Sequence, residues 1–259
     1  MEVIFLGTGT SEGVPIIAQP PEFELDLGNA RNWRTRTSVH VIMDGCHIQV
    51  DAAPEFRLQC INNDIRQIDH FILTHEHADH IQGMDDLRRF CRIQGGAAIP
   101  VYSTKNGVKR VKEIYPYAIH ETAKGNYPAF SLKIMPKVLE VAGGTIHSVI
   151  LPHGKFIVLG LLFKENSSGK RFAYYTDCKE VTIEAQELAN CAELLALDAL
   201  RPSPHLSHLS IPEAIDISMK IGANQTYFVH MTCDVDHGRD ELCLPDSIDF
   251  AYDGLRMFL

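Results

Sequence analysis

Residues 74–80 read Thr74-His75-Glu76-His77-Ala78-Asp79-His80, directly after the short apolar run Phe71-Ile72-Leu73. Three imidazoles and two carboxylates fall within the six positions from 75 to 80. A solvated loop has no need of that density, whereas a metal site is built from these donors. The stretch differs from the HExxH of helical zinc proteases, because Asp79 rather than a histidine stands four residues after His75. Two apart in extended chain, His75 and His77 can face one ion. A turn at Ala78 can then direct Asp79 and His80 towards a second, so one short segment seeds two sites.

Closing such a pair of sites needs further ligands at the ends of other strands. Asp51 ends HIQVD, His153 follows a strand in Leu-Pro-His-Gly, Asp177 ends FAYYTD and His230 ends TYFVH. Each is a polar residue closing an apolar run. Singly they read as caps or loop residues; beside residues 74–80 they read as a ligand set.

The strands that deliver them recur along the chain. Apolar patterning predicts strands at 3–6, 38–43, 47–50, 71–73, 100–103, 130–134, 146–151, 156–163, 172–175, 194–197 and 227–229. Asp44-Gly45 predicts a hairpin, and the first three strands a meander. Helical stripes appear after Pro54, around 87–91, over 108–114 and at 212–221, and a last hairpin is expected around Asp253-Gly254. Two halves, each a run of strands followed by helices, predict an α/β (α+β) αββα sandwich, two mixed β-sheets flanked by helices, as a single domain over 1–259.

Composition narrows the function classes. The chain has 259 residues and a net charge of −9, which disfavours a broad grip on nucleic acid through counterion release. Its seven cysteines are odd in number, scattered and free of CxxC spacing, which points to a reducing cytoplasm rather than a disulfide framework. No apolar run approaches the roughly 18 residues of a membrane span. The opening Gly7, Gly9 and Gly13 follow a strand, but their spacing is GxGxxxG and no helical period follows, so a dinucleotide loop is not indicated.

With these residues set out, the sequence resembles the metallo-β-lactamase superfamily over nearly its whole length. The stretches LGTGTSEGVP, NARNWRTRTS, DALRPSPHLSHLS and FAYDGL resemble its phosphodiesterase branch, which includes enzymes acting on phosphoribosyl 1,2-cyclic phosphate. The resemblance implies an αββα fold and two divalent ions, zinc or manganese with iron as a further fit. It implies His75, His77 and His153 on one ion, Asp79, His80 and His230 on the other, Asp177 bridging, and Asp51 orienting ligands from behind. A water made acidic by the ions would attack phosphorus in a small, cyclic phosphodiester. His208 and Asp79 are the candidate catalytic residues, His208 as proton donor to the leaving oxygen, with His205 the weaker alternative.

Arg34, Arg36 and Arg201 lie in the family-like stretches, where they could meet a second phosphate, but surface ion pairs are their more usual fate. Cys178, beside Asp177, reads as a small buried residue. Some relatives carry a structural zinc held by cysteines after the glycine turn; residues 18–26 contain none and Cys233 stands at the histidine position, so packing is expected to hold residues 19–32. The partner expected is a small molecule, with no membrane, no nucleic acid, and a homodimer admitted. Two other functions share the fold: a tRNase Z-like nuclease, for which Lys105, Lys109, Arg110, Lys112 and Lys124 form a basic segment, and a non-catalytic carrier or accessory protein. Thioester or lactam hydrolysis is a third.

Overall fold

Asp44 and Gly45 take φ values of 46° and 79°, the left-handed pair of a tight hairpin turn, and reverse the chain as their sequence predicts. The computed structural model describes residues 1–20, 23–123 and 125–259. Its first sheet is built from β1 (Glu2–Gly7), β2 (Ser38–Met43), β3 (Cys46–Val50), β4 (His70–Leu73), β5 (Ile99–Ser103) and β6 (Phe130–Ile134). Its second comprises β7 (Val138–Val141), β8 (Gly144–His153), β9 (Phe156–Glu165), β10 (Arg171–Tyr175), β11 (Leu194–Asp198), β12 (Gln225–Val229) and β13 (Ile248–Phe250). The last strand, β14 (Arg256–Phe258), returns to the first sheet and pairs antiparallel with β1. The sheet orders are β14-β1-β2-β3-β4-β5-β6 and β13-β12-β11-β10-β9-β8-β7, each part antiparallel and part parallel.

Helices cover the outer faces. Against the first sheet lie α1 (Phe56–Asn62), the short α2 (Ala78–Ile81), α3 (Arg88–Ile93) and α4 (Lys105–Ile114); against the second lie α5 (Ile183–Ala189) and α6 (Ile211–Ile221), with α7 (His237–Asp240) near the end. Thr104 starts α4 by accepting the Gly107 N–H at 3.0 Å. Ser210 and Glu213 form a capping box on α6. Apolar side chains form three layers: Phe5, Ile72, Phe163 and Phe172 between the sheets, Phe56, Phe71 and Val111 under the first set of helices, and Leu151, Ala185 and Phe228 under the second. The two-sheet sandwich flanked by helices is the predicted fold.

Two expectations change. The chain around Asp253-Gly254 is not a hairpin, because β13 belongs to one sheet and β14 to the other; this segment crosses the sandwich. Of the segment 19–32, residues 21 and 22 lie outside the described residues, and residues 23–32 are held by polar anchors as well as packing. Asp236 accepts from Asp26 N at 2.9 Å and Asn32 Nδ2 at 2.7 Å, and Arg239 donates to Glu24 O at 3.1 Å. The opening glycines are explained by close backbone approach: a Cβ on Gly7 would lie 2.1 Å from Arg36 O, and one on Gly9 2.8 Å from Arg34 O. Gly9 bridges to both Arg36 and Met231, so the glycine turn straps the chain beside His230.

Candidate metal centre

Parallel strands deliver their following loops to one end of a sheet, and the site occupies that end of both. Asp51 follows β3 and Thr74 follows β4; Asp177 follows β10, Asp198 closes β11 and His230 follows β12. Asp51, Asp177 and His230 have φ values of 59°, 53° and 64°. A non-glycine residue in this left-handed region costs about 1–3 kcal/mol, and such strain gathers at functional sites. Here it breaks each strand sharply at the cleft.

The structure brings the sequence-derived residues together in two groups. The ligand atoms of His75, His77 and His153 lie within 4.8 Å of one another, as do those of Asp79, His80, Asp177 and His230. The turn expected at Ala78 is α2, which carries Asp79 and His80. In the first group His75 Nε2 is 2.9 Å from His77 Nδ1, and His153 Nε2 is 3.3 Å from the same atom. In the second, His80 Nε2 is 3.2 Å from both Asp79 Oδ2 and Asp177 Oδ2, and His230 Nε2 is 3.1 Å from Asp177 Oδ2. Asp177 Oδ2 also lies 3.8 Å from His75 Nε2, between the groups.

Hydrogen bonds behind these residues fix their orientation. Asp51 accepts a hydrogen bond from His80 Nδ1 at 2.7 Å and from Thr74 N and Oγ1, each at 2.8 Å. His153 Nδ1 donates to Ser207 O at 3.0 Å, which leaves Nε2 for the cleft. Thr176 Oγ1 donates to Asp177 Oδ1 at 2.7 Å.

This electrostatic setting fits a cation. Burial works against charge on His80, yet Asp177, Asp79 and Asp51 hold its imidazole protonated well above the usual range. His75, buried and beside the His80 charge, is pushed well below it. Both ring nitrogens of His230 are buried without a hydrogen-bond partner: Nε2 is close to Asp177, but the angle does not make a bond. Three buried carboxylates and an unpartnered imidazole are costly unless a positive ion meets them. An all-imidazole-and-carboxylate donor set suits divalent zinc, manganese or iron.

The geometry agrees with a match along the chain. Residues 47–231 fit a family model described as the beta-lactamase superfamily domain. The chain belongs to the beta-lactamase superfamily. The metallo-β-lactamase fold implies divalent metal ions, and the two groups just described are ones that could hold them. Among solved structures, a diphosphatase from the PhnP family matches this superfamily member with 31% identity and a TM-score of 0.89, covering 100% of this chain and 97% of that one. Zinc-bound PqqB from Methylobacterium extorquens matches in fold, with 19% identity, a TM-score of 0.80 and full coverage of both chains. An octanoyltransferase of Porphyromonas gingivalis is 31% identical over 264 residues, covering 100% of this chain and 52% of that protein. The chain therefore spans about half the length of that relative.

His208 lies beside both groups. Its ring stacks on His230 with centroids 4.7 Å apart and meets His153 edge-on at 4.7 Å. Sequence reasoning missed the residue that holds it. Asp198 Oδ2 accepts from His208 Nδ1 at 2.8 Å and from Cys178 N at 2.8 Å. Burial disfavours charge on His208, but Asp198, with smaller help from Asp177 and Asp79, raises its pKa to about 9. Cys178 is buried as expected, its thiol pushed well above the usual range by burial. His205 stands farther out, with Nδ1 3.3 Å from Ser207 N.

The arginines are engaged elsewhere. Arg34 is buried and donates to Val235 O and Asn32 Oδ1 at 3.0 and 3.1 Å. Arg36 pairs with Glu55, and Arg201 donates to Ser203 O and Pro204 O. In the basic segment, Lys109 and Arg110 pair with Glu113, and Lys124 lies outside the described residues. No helix among the described residues is long and apolar enough to cross a membrane.

Proposed function

We propose that this chain is a hydrolase of small phosphodiesters, working with two divalent cations, zinc or manganese with iron as a further fit. The observation that carries the reading is Asp177 Oδ2, 3.1 Å from His230 Nε2, 3.2 Å from His80 Nε2 and 3.8 Å from His75 Nε2. One carboxylate oxygen faces both ligand groups, so Asp177 could serve a cation held by either. His75, His77 and His153 would hold one; Asp79, His80 and His230 would hold the other.

When bound, the cations supply a water of near-neutral pKa and positive charge for phosphate oxygens. The chain's own residues do the rest. Asp51 locks the His80 tautomer, and Ser207 O locks that of His153. His208, with Nδ1–H on Asp198, presents Nε2 to the cleft. As an imidazolium it would give the Nε2 proton to the departing oxygen, which needs one when the leaving alcohol is weakly acidic, and keep Nδ1–H on Asp198.

Phosphoribosyl 1,2-cyclic phosphate exemplifies the small cyclic diester in this reading. The 31% identity to a PhnP-family diphosphatase favours a second reading, a diphosphate diester, where the bond cut is again phosphorus to oxygen. The test is turnover by protein reloaded with manganese or zinc of bis(p-nitrophenyl) phosphate, a 1,2-cyclic ribose phosphate, a dinucleoside diphosphate, precursor tRNA and a thioester. Diester or diphosphate cleavage that disappears in Asp177→Asn supports the reading. Silence on every phosphorus substrate with metal bound, or cleavage of the thioester alone, ends it.

A further inference from the structure

The outer side of the first sheet carries a second, larger hollow, of about 1330 Å³, lined by α1 and α3. Small-molecule sites run to about 300–1,000 Å³, so this one is of a size for a segment of macromolecule. Its described lining includes no residue of the metal centre. Arg57, Arg66, Arg88, Arg89 and Arg92 all line it, against two carboxylates, Asp64 and Asp86. On a chain of net charge −9, that concentration of guanidinium runs against the whole. Arg66 is engaged by Asp64 at 2.7 Å and Arg88 by Asp85. Arg57, Arg89 and Arg92 are exposed, and among the described residues no carboxylate forms an ion pair with any of them.

The two helical walls repeat one pattern. On α1 Arg57 stands four residues before Ile61, and on α3 Arg89 stands four before Ile93. Residues four apart are neighbours on a helix surface, so each wall offers a guanidinium and an isoleucine one turn apart. Ile61 and Ile93 are 59% and 45% exposed. Beneath them Phe56 and Phe90 are buried, with ring centroids 6.3 Å apart. Isolated apolar residues on a surface need no explanation, but matched ones lining one hollow mark a contact surface.

We propose that this groove docks an acidic amphipathic helix of a partner protein. An apolar stripe on that helix would lie against Ile61 and Ile93, and glutamates or aspartates beside the stripe would meet Arg57, Arg89 and Arg92. Charge complementarity and the repeated arginine–isoleucine pattern carry this assignment. A helix about 10 Å across with a rise of about 1.5 Å per residue fills about 120 Å³ per residue, so the hollow takes about eleven residues, or three turns. A nucleic-acid strand would ask for exposed ring faces on which bases stack. Of the aromatic side chains in the described lining only Tyr127 is exposed, at 54%. A second copy of the chain is a poor fit. Its own exposed acidic helix face, Ile183, Glu184 and Glu187 of α5, lies over the other sheet, so copies would join head to tail without closing. Docking here needs no assumption about the reaction at the metal centre.

The test is fluorescence anisotropy with the full chain and a fluorescein-labelled peptide of about 18 residues of Leu, Ala and Glu, its leucines spaced to form one helical stripe. The comparators are a scrambled peptide of the same composition, the patterned peptide with Lys for Glu, and a labelled oligothymidylate of equal length. The patterned acidic peptide is expected to bind the native chain at least about tenfold tighter than any comparator, and to weaken as salt rises from about 50 to about 300 mM. Arg57→Glu/Arg92→Glu sets like charges opposite its glutamates and should lower affinity by about tenfold or more. Ile61→Ser/Ile93→Ser should do the same through lost apolar burial. Because all four side chains are exposed, both variants should keep the native metal content and a near-native melting temperature. No binding at about 1 mM peptide, equal binding of the scrambled peptide, or binding unmoved by both variants overturns the proposal. So does tighter binding of the oligothymidylate that the charge reversal abolishes, which would make this a nucleic-acid surface. Sedimentation showing oligomers that the charge reversal dissociates overturns it too, by making the groove an interface between copies.

Discussion

Replacing Asp198 with asparagine separates charge from shape at His208, the proposed proton donor. Oδ2 of Asp198 accepts from both His208 Nδ1 and Cys178 N at 2.8 Å, and an amide oxygen in the same place can accept both. What is lost is the negative charge that raises His208 from its ordinary value of 6.5 to about 9 against the effect of burial. That difference corresponds to at most about 3.4 kcal/mol at 1.36 kcal/mol per pKa unit. Asp177 and Asp79 contribute the smaller part, and bound cations would screen them, so Asp198 is the main lever. With the pKa back near 6.5, the acid form at pH 8.5 drops from about three quarters of the molecules to about one hundredth. Turnover of a diester with an alkyl leaving group should then fall about 50- to 100-fold at pH 8.5 and by roughly tenfold at pH 7.5, and its alkaline limb should move down from near 9. A p-nitrophenyl leaving group, stable as an anion, should lose far less. The linkage has a matching sign: stability from His208 is complete below pH 6.5 and disappears as the pH rises through about 9, so variant and native unfolding should converge in that window. Equal losses on both leaving groups, with an unmoved pH profile, would refute a charge-based role for Asp198 and leave it structural.

Three further outcomes are expected. Asp177→Asn and His75→Ala should each lower bound metal, measured by elemental analysis after dialysis, and remove the thermal stabilisation that metal gives the native chain, about 2.7 kcal/mol at a hundredfold excess over Kd. Asp51→Ala, which strips the acceptor from His80 Nδ1 and from Thr74, should weaken metal binding by about 10- to 100-fold in a chelator competition without touching a ligand. Asp236→Ala should free residues 23–32 to proteolysis and cost about 2–3 kcal/mol by leaving Asp26 N and Arg239 N without their acceptor and Asn32 Nδ2 with only Asp26 O. Although burial opposes it, these bonds hold the Asp236 pKa below its ordinary 3.8, so that stability is present above pH 3.8 and lost as the pH falls further.

The sequence is most legible where chemistry is concentrated. Residues 74–80 announce themselves by donor density, and Asp51, Asp177 and His230 by a local rule: a polar residue closing an apolar strand. The same rule applied to Leu194-Leu195-Ala196-Leu197-Asp198 picks out Asp198, a polar residue closing an apolar strand in the same way. The strand β7 escaped because Val138 to Val141 is short, carries Glu140 and lies at an edge with little burial, so its pattern is weak. The helix α5 escaped between two turns with only Ala185 and Ala189 buried. The crossing at Asp253-Gly254 could not be read locally, since a turn dipeptide serves a hairpin and a change of sheet equally well. The Asp236 anchor joins residues far apart in the chain, for which periodicity carries no signal.

The donor groups are divided between the two layers of the sandwich. His75, His77, Asp79 and His80 follow β4 of the first sheet, while His153 closes β8 and Asp177 and His230 follow β10 and β12 of the second. A cation shared by both is in effect a rivet through the molecule, and its grip depends on how firmly the layers are seated. Trimming Phe172, which stacks on Phe163 at 5.7 Å and meets Phe5 edge-on at 6.4 Å, would let the layers shift and release metal with every donor intact. On the proposed reading metal retention would gauge interior packing, and a loss of activity cured by excess metal would point to the core before it pointed to the cleft.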